Sequence, residues 1–307
     1  MNKMAAQLLL KFILLVFCLS LLSACSSQSG KNNGQVNDDI SIVIDTTFFP
    51  IYIEAANITK DIPGVKLINI TPPSTGCLHD YQLTPDDLKR MSEADILIIN
   101  GAGMESFTDK IISQLPGLQV VDASRGIPLI KSEGDDYNPH VWVSITNTIQ
   151  QVENIGEQLA VLDSRRASQY IANTEAYVAK LEDLRNKMHQ VVDGASSREI
   201  ITFHEAFPYF AQEFDLHITA VIEHEPGSEP SAAELTETIK IIEDTGTKVL
   251  FTEPQYPARS ADTIARETGI KIYTLDPAVT GTLEPDAYLK IMENNMKTLQ
   301  EALNQDG

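Results

Sequence analysis

Residues Asp95–Asn100 read Asp-Ile-Leu-Ile-Ile-Asn, four apolar residues in a row closed by an acid on one side and an amide on the other. A run this short and this continuous, with no polar alternation, fits a strand buried on both faces, as in a parallel sheet covered by helices. Working outward, comparable runs occur at Ser41–Thr46 (SIVIDT), Val65–Ile70 (VKLINI) and Leu118–Ala123 (LQVVDA). Four more follow at Glu199–His204, Leu216–Ile222, Lys248–Glu253 and Lys271–Pro277. Helical segments separate them, so the expected fold class is α/β, with two lobes, each a mostly parallel four-stranded sheet flanked by helices. The halves echo each other weakly. Strand 1 is followed by Phe49-Pro50-Ile51-Tyr52 in the first half and by Phe207-Pro208-Tyr209-Phe210 in the second. Between strands 2 and 3, Thr84-Pro85-Asp86-Asp87 offers an N-cap, a first-turn proline and acids at the positive helix end, and Glu229-Pro230-Ser231 plays a comparable part.

A long helical region lies between the halves. Ile145, Ile149, Val152, Ile155 and Leu159 recur every three or four residues. After Asp163, read as an N-cap, Ile171, Val178, Leu181, Leu184, Met188 and Val191 continue the period until Gly194. A helix over about 168–192 would be a rod of roughly 38 Å that limits hinge bending between the lobes; an ordinary packing helix is compatible with the same pattern.

The first 25 residues read as an export signal. Lys3 and Lys11 flank the start of a run from Phe12 to Leu22 that is apolar except for Ser20, closed by Leu22-Ser23-Ala24-Cys25, too short for a membrane span. That ending resembles the bacterial lipobox, which implies a lipidated Cys25 as the mature N-terminus. The Ser/Gly/Asn/Gln-rich stretch that follows suits a flexible tether. The expected division is a lipoprotein signal peptide at 1–24, a tether at 25–39, an N-terminal lobe at 40–165, a linking helix at 166–194 and a C-terminal lobe at 195–307. Of three cysteines only Cys77 would remain beside Cys25, so no intrachain disulfide is expected despite export.

The chain has 307 residues and a formal charge of −20, from 43 acidic against 23 basic side chains. With no basic block it offers no electrostatic footprint for nucleic acid, and 43% hydrophobic residues exclude disorder. Loss of residues 1–24 removes Lys3 and Lys11 and no acid, which deepens the charge to −22.

Ligands of open α/β sheets bind beyond the carboxyl ends of the strands. Four chemically apt residues stand there: His79 in the loop after strand 2, His140 after strand 4, His204 at the end of the fifth strand and Asp276 at the end of the eighth. Three neutral imidazoles and a carboxylate would make a closed four-coordinate site suited to zinc, for which other divalent transition metals could compete. Spacing alone also allows separate capping or surface histidines.

The strings His79-Asp80-Tyr81 with Thr84-Pro85, Asn100-Gly101-Ala102-Gly103-Met104-Glu105, Asn138-Pro139-His140-Val141-Trp142, Phe203-His204-Glu205-Ala206-Phe207 and Leu275-Asp276-Pro277 decide between these readings. In this order, and together with the lipobox, they resemble the metal-binding receptors of bacterial zinc and manganese ABC importers, over the chain from about Ile40 onward. The resemblance implies two lobes joined by one long rigid helix, with one metal ion held between them by His79 and His140 of the first and His204 and Asp276 of the second. It implies an extracytoplasmic solute-binding receptor, monomeric and lipid-anchored to the outer face of the cell membrane, that captures zinc and delivers it to an ABC permease with its ATPase. The metal is cargo, with manganese the alternative; His204 favours zinc, because manganese-tuned relatives often carry a carboxylate there. Many zinc receptors of this kind have a long His-rich loop before the second motif. Residues Lys131–Tyr137 are short here and carry no histidine.

Neighbouring groups read two ways. Cys77, two residues before His79, could coordinate as a thiolate or be a small, partly buried residue. Glu205 and Glu253 could hold ligating imidazoles or be helix-start and loop carboxylates. His189, His217 and His224 read as surface residues. A zinc-dependent hydrolase using Glu205 as base would need an open coordination position, which four protein ligands deny, and no His-Glu-x-x-His helix is present. A metal-stabilised adhesin would be expected to unfold without its ion, whereas a receptor stays folded and gains stability from metal by mass action.

Overall fold

The structure is a computed structural model that describes residues 42–79, 81–105, 108, 112–132, 136–223, 230–256 and 259–304. The signal, Cys25, the tether and His224 lie outside the described residues. The first sheet is built from β1 (Ile42–Thr46), β2 (Val65–Asn69), β3 (Ile96–Ile99) and β4 (Gln119–Asp122), in the order β2-β1-β3-β4, all parallel. Helices α1 (Phe49–Ile58) and α2 (Pro85–Glu93) connect its first three strands. The second sheet repeats the scheme: β5 (Glu199–Thr202), β6 (His217–Val221), β7 (Val249–Thr252) and β8 (Lys271–Thr274) run parallel in the order β6-β5-β7-β8. Its connections are α5 (Pro208–Glu213), α6 (Ala232–Thr245) and α7 (Arg259–Thr268). All eight expected strands are present, and the seven after β1 are shorter than expected by one or more terminal residues.

The expected punctuation is built as described. Thr84 and Asp87 form a reciprocal capping box at α2, and Ser231 with Glu234 forms another at α6, so orphan backbone N–H groups at both starts are satisfied. Between the sheets run α3 (Ile145–Leu162) and α4 (Ala167–Val192), the latter 26 residues and about 39 Å long. Asp163 does not cap α4. It ends α3, and its carboxylate instead takes Arg166 Nη1 at 2.6 Å and Tyr170 Oη at 3.2 Å, bracing the corner between the two helices.

One continuous hydrophobic core runs through both halves. Ile44, Phe48 and Phe49 of the first, Trp142, the apolar stripes of α3 and α4, Phe207, Phe210 and Phe214 of the second, and the last helix α8 (Ala287–Leu303) all belong to it. Hydrogen bonds stitch the same boundary: Asn57 Nδ2 donates to Pro285 O (2.6 Å), and Ser144 Oγ and Thr146 Oγ1 donate to the Glu213 carboxylate (2.7 and 2.6 Å). A shared core of this kind resists separation far more than two lobes on a flexible linker would, because any opening exposes apolar area at about 25 cal/mol per Å².

The carboxyl of Glu54 is among the buried groups there that lack a hydrogen-bond partner. Glu54 of α1 is fully buried and neither carboxyl oxygen has a hydrogen-bond partner, so burial pushes its pKa well above the ordinary range and it is held as the neutral acid. Such a group contributes stability below the unfolded carboxyl pKa near 4.5 and loses it as pH rises toward the raised folded value. Glu54→Met is therefore expected to stabilise the protein at neutral pH by about 1–3 kcal/mol. Thermal unfolding at a series of pH values checks this: the gain should shrink toward pH 4, and a gain that does not change with pH would contradict it.

Candidate metal centre

In each sheet the strand order reverses between two neighbouring parallel strands, the place where open α/β sheets gather ligands. The reversals fall between β1 and β3 and between β5 and β7. In the second sheet, His204 lies two residues beyond β5 and Glu253 directly follows β7. Their side chains meet: His204 Nδ1 is 2.6 Å from Glu253 Oε1, and both are buried. A carboxylate at Nδ1 keeps the proton there and leaves the Nε2 lone pair available to a metal. In the first sheet the equivalent place is a lock. Thr47 Oγ1 donates to Glu105 Oε1 at 2.7 Å, and the same carboxyl accepts from the backbone N–H groups of Asn100 (2.7 Å) and Gly101 (3.1 Å). Burial nevertheless pushes Glu105 up to about 7. Gly101 has φ +78°, and a Cβ there would strike Asp122 and Ser124, so the Asn100–Glu105 string is a turn only glycine closes.

The first lobe supplies its imidazoles from the loops after its outer strands, β2 and β4. Asn138 Oδ1 accepts from His140 backbone N–H at 3.0 Å and lies 3.1 Å from His140 Nδ1, an Asx-type turn that fixes the ring and turns Nε2 outward. Burial, then the neighbouring His204 and His79, hold the His140 pKa well below its usual value, so it stays neutral and ready to ligate. His79 Nε2 approaches His140 Nε2 to 3.2 Å. Two Zn–N bonds of about 2.05 Å at the tetrahedral angle separate their nitrogens by about 3.3 Å, so the pair already has the edge length of such a site. The His140 and His204 rings stand edge to face, centroids 5.2 Å apart. His79 is exposed and forms the entrance; His140 and His204 form the buried floor.

The structure thus brings His79, His140 and His204 together. Cys77 joins them: its Sγ lies with His79 and His140 donor atoms inside a group whose members are all within 4.8 Å of one another, and 3.9 Å from His204 Nε2. Asp276, two residues past β8, stands outside that group. Its Oδ1 accepts from Ala278 N–H (2.8 Å), while Asn295 bonds both its backbone N–H (2.9 Å) and its carbonyl (2.7 Å). Burial lifts its carboxyl to about 6, with the nearby Glu253 charge adding to the shift. Glu253 takes the role of orienting an imidazole, whereas Glu205 contributes its backbone carbonyl, which accepts from Asn138 Nδ2 at 2.8 Å across the lobes. His189 and His217 are at the surface, beside Asp193 and Glu199.

Tyr256 and Asn295 escaped sequence reasoning, and Trp142 appeared in it only as the end of a motif. Tyr256 packs its ring 5.6 Å from His204 and hydrogen-bonds Cys77 through its hydroxyl. Asn295 anchors the Asp276 backbone, and Trp142 Nε1 donates to Pro277 O at 2.8 Å beneath the floor. An aromatic three residues past Glu253, in a strand-end loop, was the available signal for Tyr256.

Metal must displace protons, so the titrations set a pH limit. His140 contributes little, since its pKa is already depressed, whereas Asp276 is protonated below about 6. A metal held by Asp276 is expected to lose affinity as pH drops through 6. Chelator competition across pH 5–8 measures this, and an affinity that rises toward pH 5 would contradict it.

Known proteins resemble this chain in sequence and in fold. A family model described as ZnuA, zinc-uptake complex component A, periplasmic, matches residues 44–302. The high-affinity zinc uptake system protein ZnuA of Bacillus subtilis (strain 168) is 30% identical, over 93% of this chain and 95% of its own. The zinc-binding lipoprotein AdcA of Streptococcus pneumoniae (strain R6) is 27% identical over 97% of this chain, which spans 62% of AdcA. Among solved structures, the solute-binding protein FpvC of Pseudomonas aeruginosa in complex with Mn2+ superposes with a TM-score of 0.79 at 31% identity, covering 87% of this chain and 99% of that one. The chain therefore belongs to the ZnuA family, the periplasmic component A of zinc-uptake complexes.

Proposed function

We propose that this protein is an extracytoplasmic receptor that captures a divalent transition metal, zinc foremost, between His79 and His140 on one lobe and His204 and Asp276 on the other, and hands it to an ABC permease driven by a separate ATPase. The observation that carries this reading is the gathering of three imidazoles at the strand ends: His79 and His140 Nε2 lie 3.2 Å apart, and the His204 ring, held by a buried carboxylate, stands 5.2 Å from the His140 ring. Three neutral nitrogen donors suit zinc better than manganese, which prefers oxygen. Manganese is the second reading, supported by the likeness to FpvC bound to Mn2+. Residues 1–24 act as the signal, Cys25 carries the lipid and 25–39 tether a monomeric body whose lobes span 40–165 and 195–307 around the 166–194 helix. Titration of metal-stripped protein with zinc and with manganese tests the proposal. One zinc per chain, bound more tightly than manganese, is expected; tighter manganese would transfer the cargo to the second reading, and no binding of either ion would end both.

A further inference from the structure

The Cys77 thiol faces the three imidazoles, and its distances are those of a ligand. A tetrahedral ion with one thiolate sets sulfur about 3.6 Å from each nitrogen and the nitrogens about 3.3 Å from one another. Here Cys77 Sγ is 3.9 Å from His204 Nε2, and His79 Nε2 is 3.2 Å from His140 Nε2, two opposite edges of that tetrahedron. Cys77 also forms, with His79 and His140, a group of donor atoms all within 4.8 Å of one another. Its setting is prepared for charge on sulfur: the Tyr256 hydroxyl hydrogen-bonds it. Gly76, at φ +82°, makes the turn that carries Cys77, and a Cβ there would lie 3.7 Å from the same hydroxyl.

Asp276 is held differently. Its backbone is pinned on both sides by Asn295 and one carboxyl oxygen is engaged by Ala278 N–H. The site therefore has two candidates for its fourth position, a soft sulfur 3.9 Å from His204 Nε2 and a hard oxygen held by its own loop.

We infer that Cys77 is the specificity-determining ligand: it completes a three-histidine, one-cysteine site for soft and borderline ions such as zinc, cobalt and cadmium, while Asp276 completes the site for hard ions such as manganese. On coordination the thiol proton leaves to solvent and the sulfur binds as thiolate. Soft-donor preference then separates cargoes that three imidazoles alone discriminate weakly. This inference rests on the cleft being the metal site proposed above and puts Cys77 in place of Asp276 as the fourth ligand of zinc.

Cobalt-loaded full-length protein tests it, because thiolate-to-cobalt charge transfer absorbs in the near ultraviolet and imidazole or carboxylate ligation does not. The wild type should show that band and Cys77→Ser should lack it while still binding cobalt. Cys77→Ser should also lose about tenfold or more in zinc and cadmium affinity, the least expected of a ligand given what supporting residues contribute, and keep its manganese affinity. Asp276→Asn should show the reverse pattern. Circular dichroism identifies any variant that fails to fold, and the wild-type spectrum decides the point without any variant. Cobalt bound with no charge-transfer band overturns the role of Cys77 and leaves the metal site standing. Equal loss of zinc and manganese in Cys77→Ser overturns the selectivity. Absence of cobalt, zinc and manganese binding in the wild type would instead overturn the site itself.

Discussion

Replacing His204 by alanine is expected to lower zinc affinity by about a hundredfold or more while the protein still folds. The second lobe presents this imidazole at its strand reversal as the proposed ligand, and Glu253 holds it, Nδ1 to Oε1 at 2.6 Å. Loss of an orienting partner alone typically costs 10–100-fold, so loss of the ligand exceeds that range. The substitution has a second effect, because Glu253 Oε2 already lacks a hydrogen-bond partner and Oε1 would keep only the backbone N–H of residue 204, at 3.3 Å. A buried carboxyl that loses its side-chain partner costs about 1–3 kcal/mol, so the metal-free variant should melt earlier than the metal-free wild type. Competition against a chromophoric chelator measures the affinity and differential scanning the stability. Unchanged zinc affinity would remove His204 from the site.

The largest effect on stability is expected at Trp142, the only tryptophan in the chain. It is fully buried, meets Phe48 edge to face with centroids 5.1 Å apart, and lies 5.3 Å from the His140 ring. Its indole N–H reaches across to Pro277 O, tying the floor of the first-lobe site to the loop that carries Asp276. Trp142→Ala should destabilise the fold by about 3–5 kcal/mol through the cavity alone and strand a buried carbonyl besides. At about 2–4 °C per kcal/mol for a chain of this size, the melting temperature should fall by roughly 10 °C. Urea denaturation followed by far-ultraviolet circular dichroism reads this without relying on the lost fluorophore; a change below about 1 kcal/mol would refute the assigned packing. In the wild type the same indole should report zinc binding by a change in fluorescence, since a cation beside His140 alters the field at its ring.

The fold was legible where burial leaves a direct mark. DILIIN and the runs of the other central strands are apolar because those strands are covered on both faces, whereas the edge strands β2, β6 and β8 are only partly buried, and the capping boxes at Thr84 and Ser231 follow from backbone groups that must be satisfied locally. Asp163 misled because an acid before a helix suits an N-cap, yet a nearby arginine and tyrosine offered it stronger partners. Three imidazoles of the site could be placed from strand ends and from the family resemblance. What sequence could not rank was the fourth position. Cys77 and Asp276 both stand at strand-end loops, and only distances separate a thiol 3.9 Å from His204 Nε2 from a carboxylate engaged by its own loop. Tyr256 and Asn295 act through residues far away in the chain, a relation that no local pattern encodes.

The placement of α8 governs how the chain can acquire its shape during synthesis. The last helix packs on α4 and on α1, and Pro285 accepts the Asn57 side chain that α1 offers from the other end of the sequence. A ribosome delivers α1 long before residues 285–303 exist, so its buried face, Glu54 included, waits in contact with water until nearly the whole chain has emerged. Completion is consequently late and all-or-none, and a polypeptide cut short before α8 would reach its compartment as a substrate for proteases rather than as a half-working receptor.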